Sequence, residues 1–326
     1  MMALFLTSYG GPEVLRYGEL PDPSPTRGEL LVAVKAASLN PLDFKIRRGD
    51  IRVVTGSRFP KVLGADFAGV VREAGRGVSG FRPGDAVYGF TPLHLRKPGA
   101  HAEFVPVDAR RARAIPDGIS FEEAATLPVA ALTALNGLRR CGDLAGKAVL
   151  INGATGGVGH FALRIAKARG ASVTAVCSAR NMDFARELGA DVVIDYASHD
   201  VTLDRKAYDI VFDAHASLGF AKAARILSPD GVYATTLPTP GVLARLLWRK
   251  MLGGRRIVAA NMRARPEDYM EMELLIREGK VRPVIGAVFP LREGARAFDA
   301  LESVHVRGKI VLVTDLASIP GAGAAA

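Results

Sequence analysis

The chain is poor in the residues that build metal and disulfide frameworks: its 326 residues include two cysteines, Cys141 and Cys177. They lie far apart with no C-x-x-C, which excludes a cysteine-built zinc site and suits a reducing compartment, so both thiols are expected to be structural. The six histidines, His94, His101, His160, His199, His215 and His305, share no ligand spacing with one another or with the cysteines, and no metal is expected. Aromatic residues make up 7%; none interleaves with Arg110-Arg111-Ala112-Arg113 and the 245–256 stretch holds a single one, Trp248, so the net charge of +10 comes without a row of aromatics for base stacking. Long apolar runs are also missing. The stretch Gly241 to Leu252 is too short and too charged to span a bilayer and reads better as a pocket cap. The start, Met1 to Leu6, is shorter than a signal-peptide core and has no basic flank, so a cytoplasmic location is expected. No internal repeat occurs, and the tail 317–326 is expected to be flexible.

What the chain does have is concentrated in residues 148–180. Ala148 to Asn152 is an apolar run fit for a buried parallel strand, and Gly153-Ala154-Thr155-Gly156-Gly157-Val158-Gly159 leads from it into an amphipathic helix. Ala154, Gly156 and Gly159 occupy the three glycine-fingerprint positions, the first glycine replaced by alanine. Glycines there let backbone approach a pyrophosphate aimed at by the helix N-terminus, so a dinucleotide is the expected ligand. A second strand follows and ends in Ser178 and Arg180. An acid is normally found there, about 20 residues past the glycines, to hold a ribose 2′-hydroxyl; a hydroxyl donor and a cation suit a 2′-phosphate, hence NADP. The competing reading of Arg180 is a solvated arginine at the start of a helix over 181–189.

Residues 1–125 show alternating stretches, 30–36, 67–73 and 86–90, broken by turns such as Arg82-Pro83-Gly84-Asp85, and predict a small β-rich domain. From Phe121 the rhythm becomes helix and strand in turn, with strands near 148–152, 172–177, 192–194, 209–213, 231–236 and 256–260. Helices fit at 120–140, 157–169, 181–188 and 218–228, which together predict a doubly wound parallel sheet over 126–269. Residues 270–316 return to strands near 284–289 and 308–313 around a helix over 291–303, so the first domain is expected to be completed by the C-terminal part of the chain. An α/β protein of two domains follows, with 49% hydrophobic residues ample for both cores.

With these segments in view, the chain resembles the medium-chain dehydrogenase/reductase superfamily, in its zinc-independent quinone oxidoreductase and alkenal (enone) reductase branch. The resemblance rests on Gly10-Gly-Pro-Glu-Val-Leu15, Asn40-Pro-Leu-Asp43, Gly64-Ala-Asp-Phe-Ala-Gly-Val-Val71, Phe81-Arg-Pro-Gly-Asp-Ala-Val-Tyr88, Gly99-Ala-His-Ala-Glu103, the glycine turn, Leu188-Gly-Ala-Asp191 and Gly308-Lys-Ile-Val311. It implies a GroES-like β-barrel catalytic domain beside a Rossmann nucleotide domain, an active site between them, and commonly a homodimer. Zinc members use Cys or His ligands; Asn40 stands in place of the first cysteine, Ala65 in place of the histidine, and the four-cysteine structural segment is missing.

Without a Lewis acid, oxidation of a simple alcohol loses several kcal/mol of charge stabilisation. Hydride transfer to a quinone or an α,β-unsaturated carbonyl is then the favoured chemistry, needing orientation and a donor to the acceptor oxygen. Lys45 resembles the lysine of alkenal reductases and is the leading catalytic candidate; its competing reading is an exposed helix face shared with Arg47 and Arg48. Asn40 reads as a helix N-cap before Pro41, with Asp43 reaching back, and the resemblance also puts Asn40 near the nicotinamide. The resemblance assigns further cofactor contacts to Thr133, Tyr196 and Lys309. Thr133 could instead bond back within its helix, and Lys309 could be a strand-edge lysine. Where the family usually has Asp-Ala-Val-Gly-Gly, this chain has Asp213-Ala-His-Ala-Ser217, and His215 is expected to alter the nicotinamide pocket. Two other functions stay open at this stage. One is a cofactor-gated RNA- or protein-binding protein with vestigial catalysis; the other is an enoyl-thioester reductase using the basic 245–256 stretch.

Overall fold

The alternating apolar stretches of the N-terminal third become antiparallel strands in a computed structural model, which describes residues 1–92, 97–204, 207–237, 255–303 and 306–318. Strands β1 (Met2–Leu6), β2 (Leu15–Glu19) and β4 (Lys61–Val62) form a small sheet, order β2-β1-β4. The long β3 (Glu29–Ser38) pairs with β5 (Asp66–Ala74) on one side and with β7 (Phe104–Asp108) on the other. Strand β6 (Ala86–Phe90) joins β5 to β8 (Ala112–Ala114). Leu30, Val32 and Val34, two apart on β3, pack with Phe67, Val71, Val87, Val105 and Val107 in a closed core, as period-two patterning requires. Between β3 and β4 run helices α1 (Pro41–Arg48) and α2 (Arg52–Thr55). Helix α3 (Phe121–Ala124) starts with a capping box of Ser120 and Glu123.

The expected helix over 120–140 is broken. Pro128 cannot donate to a continuing helix, and after a π turn over Leu127–Ala131 the chain restarts as α4 (Leu132–Cys141). There follow β9 (Ala148–Asn152), α5 (Gly159–Ala168), β10 (Ser172–Cys177), α6 (Met182–Glu187), β11 (Val192–Asp195), β12 (Tyr208–Asp213), α7 (Phe220–Ile226), β13 (Leu227–Thr235) and β14 (Arg256–Ala259). All neighbouring pairs are parallel, in the order β11-β10-β9-β12-β13-β14. Val149, Leu150 and Ile151 on β9 have no exposed surface, as expected of a strand covered on both faces. The order reverses between β9 and β12, so the loops after these two strands flank the switch point where open α/β sheets bind ligands.

The last strands, β15 (Ile285–Pro290) and β16 (Lys309–Val313), are parallel to each other, and β16 runs antiparallel to β3. They extend the N-terminal sheet to the order β15-β16-β3-β5-β6-β8. The chain thus folds as two compact units, residues 1–129 with 285–326, and residues 130–284. The return falls at Ile285, later than the 270 expected, because helix Pro266–Arg277 is bound into the second unit. Arg139 on α4 donates to Asp268 and Glu271 of that helix, and Arg169 donates to Glu271.

Candidate active site

In the nucleotide-type unit the glycine turn leaves β9 with Gly153 in a left-handed conformation, φ +74°. The N–H groups of Gly153 and Ala154 donate to Val176 O at 3.0 and 3.1 Å, which ties the turn to β10. A Cβ on Gly159 would lie 2.0 Å from Gly153 O, so this position needs glycine for the helix to meet the strand. At Gly156 the nearest atom to an added Cβ is Gly153 O at 3.4 Å, so backbone is exposed on that side. The N–H groups of Gly157 and Val158 donate to no protein acceptor among the described residues. Open backbone, free N–H groups and the start of α5 together fit a dinucleotide pyrophosphate.

The end of β10 lies beside this turn. Asn181 is buried and donates from Nδ2 to Thr155 Oγ1 at 3.3 Å, and its N–H donates to Ser178 O at 2.9 Å. Asn181 is a link that the sequence reading missed; an asparagine just past a strand carries no distinctive signal. Ser178 is partly buried and Arg180 exposed in the 3₁₀ turn Ala179–Asn181. Tyr196 is 54% exposed, and its N–H donates to Cys177 O at 3.1 Å, which brings it next to Ser178. Thr133 is 7% exposed on α4, and its hydroxyl has no hydrogen-bond partner among the described residues, so the back-bond within its helix is not made.

The loop after β12 reaches the same turn. Asp213 is fully buried; Oδ1 accepts from Asn152 Nδ2 at 2.8 Å, and Oδ2 accepts from the N–H groups of Leu218 and Gly219 and from Tyr233 Oη. This carboxylate organises residues 214–219. A Cβ on Gly153 would come within 2.8 Å of His215 Cβ, so His215 abuts the glycine turn with its side chain exposed. The residue that takes up the left-handed conformation a glycine favours is its neighbour Ala216, φ +59°.

The barrel-type unit holds a buried polar network. Asp66, at the start of β5, has no exposed surface. Its Oδ2 accepts from Ser38 Oγ at 2.8 Å and Asn40 Nδ2 at 2.9 Å, and Oδ1 accepts from the Val129 N–H at 2.9 Å. Lys309 Nζ donates to Leu39 O at 2.8 Å and to Asn40 Oδ1 at 2.7 Å, and lies 3.6 Å from Asp66 Oδ2. Asp43 Oδ2 accepts the Asn40 N–H at 2.8 Å, closing the first turn of α1 as expected, and Oδ1 accepts from the Gly64 N–H at 3.2 Å. Burial pushes the Asp66 carboxyl above the ordinary range and Asp43 up to about 6, and it pulls the Lys309 ammonium down, each opposed by the neighbouring charge. Asp66 was absent from the expected site, although a lone acid inside the apolar run 62–71 is its signal. His101 is also buried here, edge-on to Phe298, and burial pulls it down to about 4.

Lys309 is not a strand-edge lysine: β16 lies between β15 and β3, and the side chain is 3% exposed. Nor do Lys45, Arg47 and Arg48 share one exposed face. Arg48 is exposed and Lys45 half-buried, whereas Arg47 is buried with its guanidinium on Glu302. Lys45 makes no ion pair, and no hydrogen bond to the Asn40 network, among the described residues. An open cavity of about 700 Å³ in this unit is lined by residues including Val53, Val54, Pro60 and Lys61, and by none of the expected site residues. His94, His305 and the stretch 241–252 lie outside the described residues, as does the basic stretch up to 254.

A zinc ion does not fit the residues at Asn40. The Asn40 amide is engaged by Asp66 and Lys309, an ammonium already stands beside Asp66, and Ala65 offers no ligand. Among the described residues no group of three or more His, Cys, Asp or Glu side chains is arranged to hold a metal. Both cysteines lie buried in the other unit, and burial pushes their thiols up, Cys141 to about 12 and Cys177 to about 11, away from the thiolate form.

A GroES-like fold joined to a parallel nucleotide-binding sheet defines a nicotinamide-dependent dehydrogenase or reductase. Residues 26–117 match the alcohol dehydrogenase GroES-like domain family, and residues 188–312 match the zinc-binding dehydrogenase family. A quinone-oxidoreductase homolog of Spinacia oleracea chloroplasts is 33% identical over 96% of this chain and 98% of its own length. An NADPH-dependent alkenal/one oxidoreductase of Arabidopsis thaliana chloroplasts is 35% identical over 96% of this chain and 79% of its own. The solved quinone oxidoreductase of Coxiella burnetii superposes with a TM-score of 0.87 at 33% identity, over 96% of this chain and 99% of that one. The chain belongs to the medium-chain dehydrogenase/reductase superfamily, in its quinone oxidoreductase and alkenal reductase branch. No helix among the described residues is long and apolar enough to cross a membrane.

Proposed function

We propose that this protein is a zinc-independent, NADPH-dependent reductase that delivers hydride to a quinone or an α,β-unsaturated carbonyl. The observation that carries the reading is the glycine turn beside a second strand, β10, that is followed directly by Ser178 and, in the next turn, by Arg180, with no acid in the segment 178–182 to accept a ribose 2′-hydroxyl. A 2′-phosphate is recognised there by the Ser178 hydroxyl, the Arg180 guanidinium and the adjacent Tyr196. The N–H groups of Gly157 and Val158 bind the pyrophosphate. When bound, the nicotinamide supplies the hydride.

On the acceptor side, the half-buried ammonium of Lys45 donates to the oxygen on which negative charge develops. Asn40, held through both ends of its amide by Asp66 and Lys309, orients the cofactor ring, and Asp43 supports it by closing the first turn of α1. Thr133 offers an unused hydroxyl to the cofactor. Lys309 then acts on the cofactor through Asn40. The protein works in the cytoplasm, and it pairs as a homodimer through its nucleotide sheet; light scattering of the purified chain tests the dimer.

The decisive experiment compares wild type with Arg180→Ala. Wild type oxidises NADPH with a quinone or an enone, and the variant loses roughly ten- to hundred-fold in NADPH affinity, as for one charge-assisted phosphate contact, with NADH little changed. Equal losses for both cofactors overturn the 2′-phosphate assignment. No turnover with any acceptor overturns the reductase.

A further inference from the structure

His160 begins the second residue of α5 and has no exposed surface. Its two ring nitrogens face different backbone groups. Nδ1 is 2.9 Å from Gly156 O in the glycine turn, and Nε2 is 3.3 Å from the N of Val284. A backbone N–H can only donate, so Nε2 must be the unprotonated acceptor. The neutral ring then carries its proton on Nδ1, where it donates to Gly156 O. The same carbonyl already accepts the N–H of His160 at 3.1 Å. Gly156 O is therefore held by two donors from one residue. Because the peptide is planar and trans, fixing this carbonyl toward the helix turns the N–H of Gly157 the opposite way, out of the helix start. That N–H has no protein acceptor among the described residues. Val284 is the last residue of this unit before the chain returns to the other, so the tautomer that orients the turn is set from the point of return.

We propose that His160 is a positioning residue for cofactor binding: locked by Val284 in the Nδ1-protonated tautomer, it clamps Gly156 O and thereby aims the Gly157 N–H at the pyrophosphate. This rests on the dinucleotide reading above. It concerns the part common to both nicotinamide cofactors, so it is separable from the Arg180 contact.

The test uses three variants of the full chain, with NADPH and NADH dissociation constants measured by titration and stability followed by circular dichroism. His160→Phe keeps the ring against Phe161 and removes both polar ends. His160→Asn presents an amide donor where Nδ1 stood, and His160→Gln reaches toward Val284 instead. We expect His160→Phe and His160→Gln to bind both cofactors about ten-fold more weakly, the equivalent of ~1.4 kcal/mol, with the NADPH to NADH ratio unchanged. His160→Asn should recover to within about three-fold of wild type, on the order of half that energy. Should His160→Phe fail to fold, the comparison of Asn with Gln carries the test, and equal affinities for these two overturn the proposal. So does cofactor affinity that follows melting temperature across the variants irrespective of the donor. In the cofactor-free wild type, long-range ¹H–¹⁵N correlation should show the Nδ1–H tautomer for His160, and the Nε2–H tautomer would contradict it. Absence of binding by wild type to either cofactor would instead refute the dinucleotide reading itself.

Discussion

Replacing Lys309 by methionine keeps the length of the side chain and removes an ammonium that is 3% exposed. Two hydrogen bonds go with it, to Leu39 O and Asn40 Oδ1, and Asp66 loses the cation 3.6 Å away. Removing one member of a buried ion pair costs roughly 3–5 kcal/mol, because the other charge stays buried without compensation. Asp66 keeps its donors from Ser38, Asn40 and Val129, so the low end, about 3 kcal/mol, is expected. Adding Asp66→Asn removes the orphaned charge and should restore about 2 kcal/mol of that loss, since replacing both partners by neutral groups is far less costly than breaking the pair. Urea unfolding followed by far-ultraviolet circular dichroism measures both. The Asp66 carboxyl already stands above its ordinary range, and loss of Lys309 raises it further. The single variant should therefore regain stability as the pH falls and Asp66 takes up its proton. A loss below about 1 kcal/mol for Lys309→Met, or a double variant as unstable as the sum of the two singles, would refute the view that the ammonium and carboxylate compensate each other.

Three further outcomes follow from local geometry. Ala216→Gly relieves a left-handed alanine and should raise stability by about 1 kcal/mol in thermal melts, less any loss from the added freedom of the unfolded chain. Asp43, pushed up to about 6 from 3.8, binds its proton more tightly folded than unfolded; its linked stability is full below about pH 4 and is lost as the pH rises through about 6. The stability of wild type relative to Asp43→Asn should accordingly decline across that window. Lys45→Ala should lower kcat by roughly 10²–10³, the usual cost of one donor to a developing oxyanion, while the NADPH dissociation constant stays near wild type.

How much of this was legible in the sequence depends on whether a residue's role is local. The strand, glycine turn and helix over 148–168 were legible because β-branched runs, glycine conformations and helical spacing act within a few residues. The N-terminal closure of α1 by Asp43 was legible for the same reason. The network around Asp66 was not, because Lys309 and Asn40 meet only when β16 is laid against β3, and nothing near Lys309 in sequence reveals that it is buried. Nor was the attachment of the helix Pro266–Arg277 to the second unit legible, because its partners Arg139 and Arg169 lie more than a hundred residues away in sequence. The break at Pro128 was a local signal overridden by the apolar periodicity on either side of it.

The central claim is a metal-free transfer of hydride from NADPH to an electron-poor acceptor. It is tested most directly by steady-state NADPH oxidation with the purified chain after exhaustive chelation, using a benzoquinone, an alkenal and an enone as acceptors and a simple alcohol with NADP⁺ as the reverse control. Turnover with at least one acceptor, undiminished by the chelator and absent with the alcohol, is the predicted result. Activity that disappears on chelation and returns with zinc, or oxidation of the alcohol in preference to reduction of every acceptor, would contradict it.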